Sequence, residues 1–414
     1  MKIAIIGSGI SGLTAAYVLH RDFDITVFEA NNYVGGHTHT IDVKRGDRSY
    51  AVDTGFIVFN EVTYPNFCKM IRRLGVSWQP TRMTFSVKCE RTRLEYSPHN
   101  LNAFFAQRRN AFKPSFWRMI YEIERFRRSF DTLLSTEHDE IPLVTYLRNA
   151  GYSERFINHF IVPMGASLWS ADPKVFEQFP LGTFVRFFKN HGIFEVQHPL
   201  QWYVIKGGSA RYVEKLIAPF ADRIRTRMPV RKVSRKQGSV EVVCSDGSSH
   251  QFDQVIIAAH SDQALSMLDQ PTEAEREILG ALPYQENTVI LHTDRAVLPS
   301  RKWIWASWNY LIPRAAMQRV AVTYNMNILQ TIDSPLDFCV TLNKTDSIAE
   351  NAVIGRYLYS HPIYKTGSPG LQQRHDEISG KNRVHFCGAY WSYGFHEDGV
   401  RSALKVCKYF GKGL

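Results

Sequence analysis

The two ends of the chain share one order of hydrophobic and polar positions. Residues 2–19, KIAIIGSGISGLTAAYVL, start with a short apolar run typical of a buried strand and continue through glycines into a helical pattern. Residues 24–30, DITVFEA, predict the next strand. Residues 384–404, VHFCGAYWSYGFHEDGVRSAL, repeat the order of apolar run, glycine turn and helix, and we expect this helix to begin at Gly399. The pattern predicts strand–turn–helix units of an α/β fold.

The middle of the chain changes from helical to strand patterns. Residues 61–200 are rich in aromatics and predict helices, most clearly at 64–75 and 116–134. Residues 225–259 predict a strand meander, and further strands follow from residue 284. We find neither an internal repeat nor a low-complexity linker between these regions. We therefore expect two domains whose segments alternate along the chain.

Length and composition narrow the class of protein. A chain of 414 residues is longer than one compact core usually holds, which favours two domains. Hydrophobic residues make up 44% and charged residues 21%, which is typical of a globular protein and excludes an intrinsically disordered one. The formal net charge of +11 favours anionic partners, such as phosphates, lipid head groups or nucleic acid.

Cysteine spacing and the first apolar run bear on the compartment. The six cysteines, at positions 68, 89, 244, 339, 387 and 407, show neither CxxC pairs nor zinc-ligand spacing, so we expect a reduced, cytoplasmic interior and no metal site. The apolar run of residues 3–6 is too short for a signal peptide or a membrane span. The sequence does not indicate the oligomeric state.

The N-terminal glycines have the spacing G-x-G-x-x-G. Gly7 permits a tight turn, Gly9 lets a pyrophosphate approach the backbone, and Gly12 lets the helix pack closely on the strand. The first helical residues, Ile10 and Ser11, offer free N–H groups and the positive end of the helix dipole to phosphates. Glu29 lies 17 residues after Gly12 and closes the next strand, where a ribose-binding carboxylate is expected. Together these features predict a dinucleotide site.

A second glycine pair follows Glu29 directly. Gly35 and Gly36 offer another stretch of backbone without side chains, where a second part of a dinucleotide could lie. We include the neighbouring residues in the predicted site: Ala30, His37 and Thr38. At this point the residues alone leave FAD and NAD open.

Three stretches resemble a known family: IAIIGSGISGLTAAY (residues 3–17), VFEANNYVGG (27–36) and the C-terminal 384–404. They resemble the flavin-containing amine oxidase superfamily, which includes protoporphyrinogen oxidases and phytoene-type desaturases. Within it the chain looks closest to a bacterial branch of predicted NAD/FAD-binding proteins. The resemblance implies a Rossmann-type FAD-binding domain interleaved with an α+β substrate domain, and non-covalent FAD. We expect the FAD-binding domain at 1–60, 205–270 and 380–414, and the substrate domain at 61–204 and 271–379.

The resemblance also implies a role for the C-terminal segment. In relatives the segment returns to the FAD domain, and its helix points its N-terminus at the flavin pyrimidine ring, where reduced flavin is negatively charged. It assigns cofactor contacts to Gly388, Asp398, Gly399 and Val400, and an adenine contact to Val230. Two departures from the family concern this site. Relatives usually have Arg where His37 stands, and an acid where Ala389 and Tyr390 stand.

Candidates for catalysis are few. The resemblance suggests that Lys302 bridges a water to the flavin. His396, Tyr390 and Tyr393 lie on the C-terminal turn and could contact substrate or transfer a proton, although core packing or loop hydrogen bonds explain them equally well. The sequence shows no nucleophile elbow, H-E-x-x-H or P-loop, which disfavours hydrolase and kinase functions.

The substrate prediction depends on aromatic residues and surface charge. Aromatics at 303–324 and the absence of an amine-oxidase catalytic pattern favour hydride removal from an apolar small molecule, such as a fatty-acyl chain. An amine oxidase is the first alternative, and a flavin- and lipid-binding protein without turnover is the second. The basic-aromatic segment 104–128 predicts a peripheral membrane surface, with an ordinary solvated helix as the alternative. No recognition motif supports nucleic-acid binding.

Overall fold

The computed structural model describes residues 1–135, 140–194, 199–315 and 319–414. Its strands are β1 (Lys2–Ile6), β2 (Asp24–Phe28), β3 (Thr40–Arg45), β4 (Arg48–Asp53), β5 (Val58–Phe59), β6 (Trp78–Thr81), β7 (Phe85–Cys89), β8 (Leu94–Tyr96), β9 (Trp202–Ile205), β10 (Ile224–Arg225), β11 (Val230–Lys236), β12 (Ser239–Cys244), β13 (Ser249–Phe252), β14 (Gln254–Ile257), β15 (Tyr284–His292), β16 (Trp308–Ile312), β17 (Val322–Asn325), β18 (Cys339–Leu342), β19 (Val353–Pro362) and β20 (Val384–Phe386).

The α-helices lie mainly between residues 100 and 220 and at the two ends of the chain. They are α1 (Ile10–Leu19), α2 (Pro65–Arg73), α3 (Leu101–Phe104), α4 (Pro114–Arg128), α5 (Phe130–Leu134), α6 (Leu143–Asn149), α7 (Glu154–Phe156), α8 (Val162–Trp169), α9 (Pro173–Phe176), α10 (Leu181–Asn190), α11 (Ala210–Ile217), α12 (Ser261–Met267), α13 (Glu273–Gly280), α14 (Met326–Leu329), α15 (Ser368–Gln373), α16 (His375–Ile378) and α17 (His396–Tyr409).

A parallel five-stranded sheet positions the predicted site. Its strand order is β10-β2-β1-β14-β20, and every pair is parallel. The central strands β1 and β14 are almost entirely buried, in keeping with their continuous Ile and Val runs. Parallel strands end at the same edge of a sheet, so the turns that follow β1, β2, β14 and β20 lie side by side. This edge brings the two ends of the chain together.

A second, mixed sheet forms the other half of the structure. Its order is β19-β15-β18-β17-β16-β7-β8, and only β16 and β7 pair in parallel. The meander β11-β12-β13 is antiparallel, as the sequence pattern predicts. The small sheet β5-β9-β6 joins strands from both sides of residue 60. The predicted α/β class, with a Rossmann-type domain interleaved with a second domain, is confirmed; the domain boundaries stay predictions.

The helices between residues 100 and 195 pack through aromatic side chains. Fully buried phenylalanines from several of these helices form one continuous core: Phe116, Phe126, Phe156, Phe176, Phe184 and Phe187. This packing accounts for much of the aromatic content of the segment, since large aromatic side chains give the most buried apolar area per residue. Among the described residues, no helix combines the length and the apolar character needed to cross a bilayer.

Candidate active site

The N-terminal glycine turn has one glycine that faces open space. A Cβ at Gly7 would lie 2.8 Å from the Ala258 carbonyl oxygen, and a Cβ at Gly12 would overlap the Gly7 carbonyl. Both glycines are therefore required by the packing of strand, turn and helix. A Cβ at Gly9 would meet no atom within 4 Å. Gly9 thus lies against an open cradle at the N-terminus of α1, which has no side-chain cap.

The second glycine pair lies against this turn. A Cβ at Gly36 would lie 2.8 Å from the Gly9 Cα, and the Gly35 N–H donates to the Ser8 carbonyl at 3.1 Å. Gly35 and Gly36 have positive φ angles of +129° and +59°, which residues other than glycine rarely adopt. Two stretches of backbone without side chains therefore meet at Gly9 and Gly36, where a phosphate could approach the backbone closely. The residues present fit the pyrophosphate of a dinucleotide.

Glu29 is buried at the end of β2, with both carboxylate oxygens hydrogen-bonded. One oxygen accepts the N–H and hydroxyl of Ser8, at 3.0 and 2.5 Å. The other accepts the backbone and side-chain N–H groups of Asn31, at 2.8 and 2.9 Å. These four donors occupy the usual acceptor sites of a carboxylate. A ribose hydroxyl at Glu29 would therefore replace the Ser8 hydroxyl or the Asn31 amide.

The segment before β11 lies beside the same strand end. The Met228 N–H donates to the Glu29 carbonyl at 2.8 Å, and the Arg227 N–H donates to the Asn31 carbonyl at 2.9 Å. Val230 lies two residues after Met228 and is partly exposed. The structure thus brings Val230 close to the predicted ribose acid, whereas Ala30 is exposed to solvent. Their cofactor contacts stay predictions.

The C-terminal helix begins earlier than the sequence pattern suggested. α17 starts at His396, three residues before Gly399, and the Gly399 N–H already donates to the Phe395 carbonyl at 3.2 Å. The free N–H groups at this helix end therefore belong to residues 396–398, because the amides from Gly399 and Val400 onward lie within the helix. Gly388 precedes a 3₁₀ turn and donates its N–H to Ser402 at 3.1 Å.

Gly399 lets two helices cross at their first turns. A Cβ at Gly399 would lie 2.7 Å from Ile10 Cγ2 and 2.9 Å from Ser11 Oγ. The cofactor contact assigned to Gly399 stays a prediction, and the contact with α1 by itself requires glycine at this position. As a consequence the N-termini of α1 and α17 lie together, and their positive dipole ends reinforce each other at one place. This is the feature of the site that best fits an anionic cofactor.

The two acids of the C-terminal turn are hydrogen-bonded to the protein. Glu397 accepts the Phe67 N–H at 2.9 Å and so caps α2. Asp398 accepts the Phe395 N–H at 3.0 Å and pairs with Arg401 at 2.7 Å. Burial raises the pKa of Asp398 to about 6, although Arg401 and the hydrogen bonds oppose the shift. Their carboxylates therefore hold the turn in place.

His396 is fixed behind the turn. Its ring stacks on Phe56 with centroids 3.5 Å apart, and its Nε2 lies 3.0 Å from both Thr38 Oγ1 and Tyr212 OH. Burial lowers its pKa well below the usual value, with His37 adding repulsion. His396 is therefore a neutral, buried histidine whose Nε2 already has two partners. The Thr38 hydroxyl likewise already has a protein partner, the Nε2 of His396.

A histidine pair joins the glycine segment to the second sheet. His37 Nε2 lies 3.3 Å from Nε2 of His361, which is on β19. Burial lowers the pKa of His37 to about 4, helped by repulsion from His260 and His39, and burial also lowers the pKa of His361 well below its usual value. Both rings are neutral at physiological pH. Sequence reasoning missed His361, since its partner is 324 residues away and only the strand register brings them together.

Two asparagines determine which nitrogen of each ring carries the proton. Asn343 Oδ1 accepts the Thr288 N–H, so its Nδ2 must be the donor to Asn287 Oδ1 at 2.8 Å. Asn287 Nδ2 therefore donates to His361 Nδ1 at 2.9 Å. The proton of His361 is then on Nε2 and is donated to His37 Nε2, which leaves His37 with its own proton on Nδ1.

The aromatic candidates on the turn differ in their surroundings. Tyr390 is almost fully buried, and its hydroxyl lacks a hydrogen-bond partner among the described residues, as does that of Tyr364. Unpaired buried hydroxyls are costly, so a ligand or water is expected beside them. Tyr393 is partly exposed, and its carbonyl accepts the Trp169 indole N–H at 3.0 Å.

Lys302, the last catalytic candidate, lies at the protein surface. It is exposed on a 3₁₀ turn, with Nζ 5.5 Å from the Trp305 ring centroid. A lysine that bridges a water to a buried flavin would be enclosed in the cofactor cavity, so the suggested role of Lys302 does not fit its position. The neighbouring Trp303 is exposed as well. The aromatics at 303–324 therefore do not line a single pocket.

The sequence pattern of a known family matches most of the chain. Residues 10–338 match the family described as flavin containing amine oxidoreductase. The chain belongs to this family. Together with the two glycine segments and the paired helix N-termini, the match confirms the predicted resemblance and identifies the protein as an FAD-dependent oxidoreductase.

Solved structures with a similar fold cover nearly the whole chain. A CLA-producing fatty acid isomerase from P. acnes has a TM-score of 0.71 at 16% identity, covering 99% of this chain and 98% of that one. Cyclohexylamine oxidase from Brevibacterium oxydans IH-35A has a TM-score of 0.70 at 16% identity, with the same coverage. At this identity the similarity shows the fold alone.

A curated relative matches only a short stretch. Tryptophan 2-monooxygenase from Allorhizobium ampelinum is 47% identical over 60 residues, which is 14% of this chain and 8% of that protein. Since the chain spans a small part of that relative's length, the match adds no information on substrate.

Proposed function

We propose that this FAD-dependent oxidoreductase removes a hydride from an apolar substrate, such as a fatty-acyl chain. The observation that supports this is the aromatic wall where the C-terminal turn meets α8 and α10. Phe395 stacks on Phe187 at 4.8 Å, Tyr393 lies 5.5 Å from Phe187, and Trp169 lies 6.2 Å from Phe395. Aromatic side chains of this kind favour contact with hydrocarbon.

The polar groups around this wall support the same substrate class. Glu397 and Asp398 hold the backbone of the turn, as described above. Burial lowers the pKa of His191, which stacks on Phe187, to about 4, so this ring is neutral. The neutral His191 ring suits a substrate carbon chain better than an ammonium or carboxylate group.

The proposed reaction is a dehydrogenation of two adjacent carbons. When bound, FAD supplies the hydride acceptor. One carbon loses a hydride, its neighbour loses a proton to water, and the electron pair left by that proton forms the C=C bond. A second oxidant, oxygen or a quinone, must reoxidise the cofactor. The chain contributes by holding the cofactor at the two helix N-termini and by orienting the carbon chain with its aromatic residues.

An amine oxidase is the second candidate. Family membership and the fold shared with cyclohexylamine oxidase support it. The fold shared with the fatty acid isomerase likewise supports a fatty-acyl substrate. A protein that binds flavin and lipid without turnover has less support, since the family is one of oxidoreductases. We place the activity in the cytoplasm, at the inner face of the membrane.

Anaerobic flavin reduction separates these candidates. The purified FAD-bound protein is mixed with saturated and monounsaturated long-chain fatty acids, their phospholipid esters in detergent, and cyclohexylamine and putrescine. We expect an acyl compound to bleach the oxidised-flavin absorbance and to lose two hydrogen atoms by mass spectrometry. Bleaching by the amines alone would replace the proposal with amine oxidation. Reduced flavin that neither oxygen nor a soluble quinone reoxidises would favour a protein without turnover.

A further inference from the structure

The geometry points to a lipid-docking face at the start of α4. The face consists of five exposed side chains: Leu101, Phe112, Trp117, Tyr121 and Trp303. We infer that it binds the surface of an anionic bilayer. Binding at this face does not depend on which substrate the enzyme oxidises, so this inference goes beyond the proposed function.

Exposed hydrophobic side chains concentrate at this face. In the described part of the chain nine large hydrophobic side chains are exposed, and five of them belong to it. Phe112 is 88% exposed and Leu101 67%. Contiguous apolar exposure of this kind marks an interaction site more often than single exposed residues do. Trp and Tyr are also the residues that favour the interface between head groups and acyl chains.

Contacts between elements hold the face together. The Arg108 guanidinium lies 5.9 Å from the Trp303 ring centroid, and Ile304 packs with Ala103 and Ala106 of the α3 region. The Trp117 ring lies 4.8 Å from that of Phe105. These contacts join residues 103–117 to residues 303 and 304, a neighbourhood that the sequence did not predict.

The charges beside the face favour an anionic partner. Between residues 97 and 121 the sequence has four cations and no acid. Within the described chain, Arg108, Arg109 and Lys113 are exposed and form no ion pair. Cations next to exposed aromatic side chains are typical of proteins that bind anionic lipid surfaces.

The cations at the C-terminal end of α4 differ from those near its start because they form ion pairs. Arg127 and Arg128 both pair with Glu124, at 2.7 and 2.6 Å. The predicted surface of residues 104–128 is therefore confined to its N-terminal part, and the two paired arginines provide a matched control with the same change in charge.

Vesicle co-sedimentation of the FAD-bound protein tests the inference. The vesicles consist of phosphatidylcholine, alone or mixed with phosphatidylglycerol, at low and high salt. We expect binding to the mixed vesicles only, decreasing with salt. Arg108→Gln with Lys113→Gln should reduce partitioning by about twenty-five-fold, since each basic residue near the surface contributes about fivefold. Arg127→Gln with Arg128→Gln should change it little.

The apolar contribution is tested separately. Phe112→Ser should reduce partitioning into vesicles by about tenfold, because the phenylalanine side chain would no longer be transferred from water into the bilayer interface. FAD content and melting temperature verify that each variant is folded. Equal binding of both double variants, or equal binding to the two vesicle types, would overturn the inference. Binding to duplex DNA with the same dependence on Arg108 and Lys113 would replace the lipid by a nucleic acid.

Discussion

Two glycines at the starts of two helices have different neighbours. Gly9 lies before α1 and faces open space, whereas Gly399 lies in the first turn of α17 against the side chains of Ile10 and Ser11. A glycine that is needed for ligand binding has no protein atoms beside the position of its missing Cβ. A glycine that is needed for packing has protein atoms in close contact with that position. The same residue type therefore points to cofactor binding in one helix and to helix packing in the other.

Gly399→Leu should have the largest effect. Its side chain would overlap the first turn of α1 and push the two helix N-termini apart. We expect the free energy of unfolding to fall by about 3 kcal/mol and FAD to be lost, as is typical of overpacked helix contacts. Thermal unfolding of the FAD-free protein and the FAD content after purification measure the two effects.

Gly370→Leu is the matched control for that prediction. Gly370 is itself exposed on α15, and a Cβ there meets no atom within 4 Å, so stability and FAD content should be unchanged. If Gly399→Leu were as stable as the control, α17 would not pack on α1 as described.

Gly9→Val should separate binding from stability. Gly9 has φ −70° and ψ −179°, which valine adopts readily, and the new side chain would enter open space. We expect FAD-free protein of normal melting temperature whose affinity for FAD is at least about a hundredfold lower, since the methyl groups occupy the phosphate cradle. Calorimetric titration with FAD measures the affinity.

Gly413→Val, near the chain end, also adds a side chain in open space and should bind FAD normally. A Gly9 variant with the affinity of this control would mean that the cofactor phosphates lie elsewhere. A Gly9 variant that unfolds would mean that the cradle is filled by protein.

The elements that sequence reasoning predicted are those whose signal is local. The turn of Gly7, Gly9 and Gly12 lies within one strand–turn–helix unit, so its spacing can be read from neighbouring residues, although the steric requirement at Gly7 comes from the distant Ala258. The parallel sheet and the two-domain class follow from such local units and from a resemblance that is most specific at the chain ends. These parts of the fold are confirmed.

The parts that were missed depend on distant residues. His361 meets His37 only because β19 pairs with β15 in one register, and the lipid-docking face includes Trp303 only because Ile304 packs on α3. Lys302 differs, because no motif fixes its place in the family, and its exposed position gives no support to the suggested role. Sequence spacing carries no information on which distant side chains share a surface.

The histidine pair makes stability depend on pH. Burial lowers the pKa of His37 from 6.5 to about 4. Between these values the unfolded chain binds more protons than the folded one, so the free energy of unfolding falls as pH drops from 6.5 to 4. The slope is at most about 1.4 kcal/mol per pH unit for one histidine. Urea unfolding at several pH values measures it, and His37→Asn should flatten the profile.

Other groups around the pair modify this profile. His260, His39 and His361 also face His37. Asp53 acts with the opposite sign, because burial raises its pKa from 3.8 to about 6 and its contribution to stability is lost as pH rises through that range. Comparison with His37→Asn cancels the other groups. Identical slopes for the variant and the parent would mean that folding leaves the pKa of His37 unchanged.

The smallest expected effect tests the proton assignment. In Asn287→Asp the carboxylate can only accept a hydrogen bond, so His361 should carry a proton on Nδ1 instead of receiving one from the amide. Nitrogen-15 NMR of the histidine rings detects the change, and FAD affinity should fall by about threefold as the contact of His361 with His37 is altered. Asn309→Asp is the control, since Asn309 is equally buried and donates to the Ala306 and Thr323 carbonyls, away from any histidine. If Asn287→Asp changed the His361 nitrogen signals no more than this control, Asn287 would not fix the tautomer, and the proton assigned to His37 Nδ1 would have to be assigned to the other nitrogen.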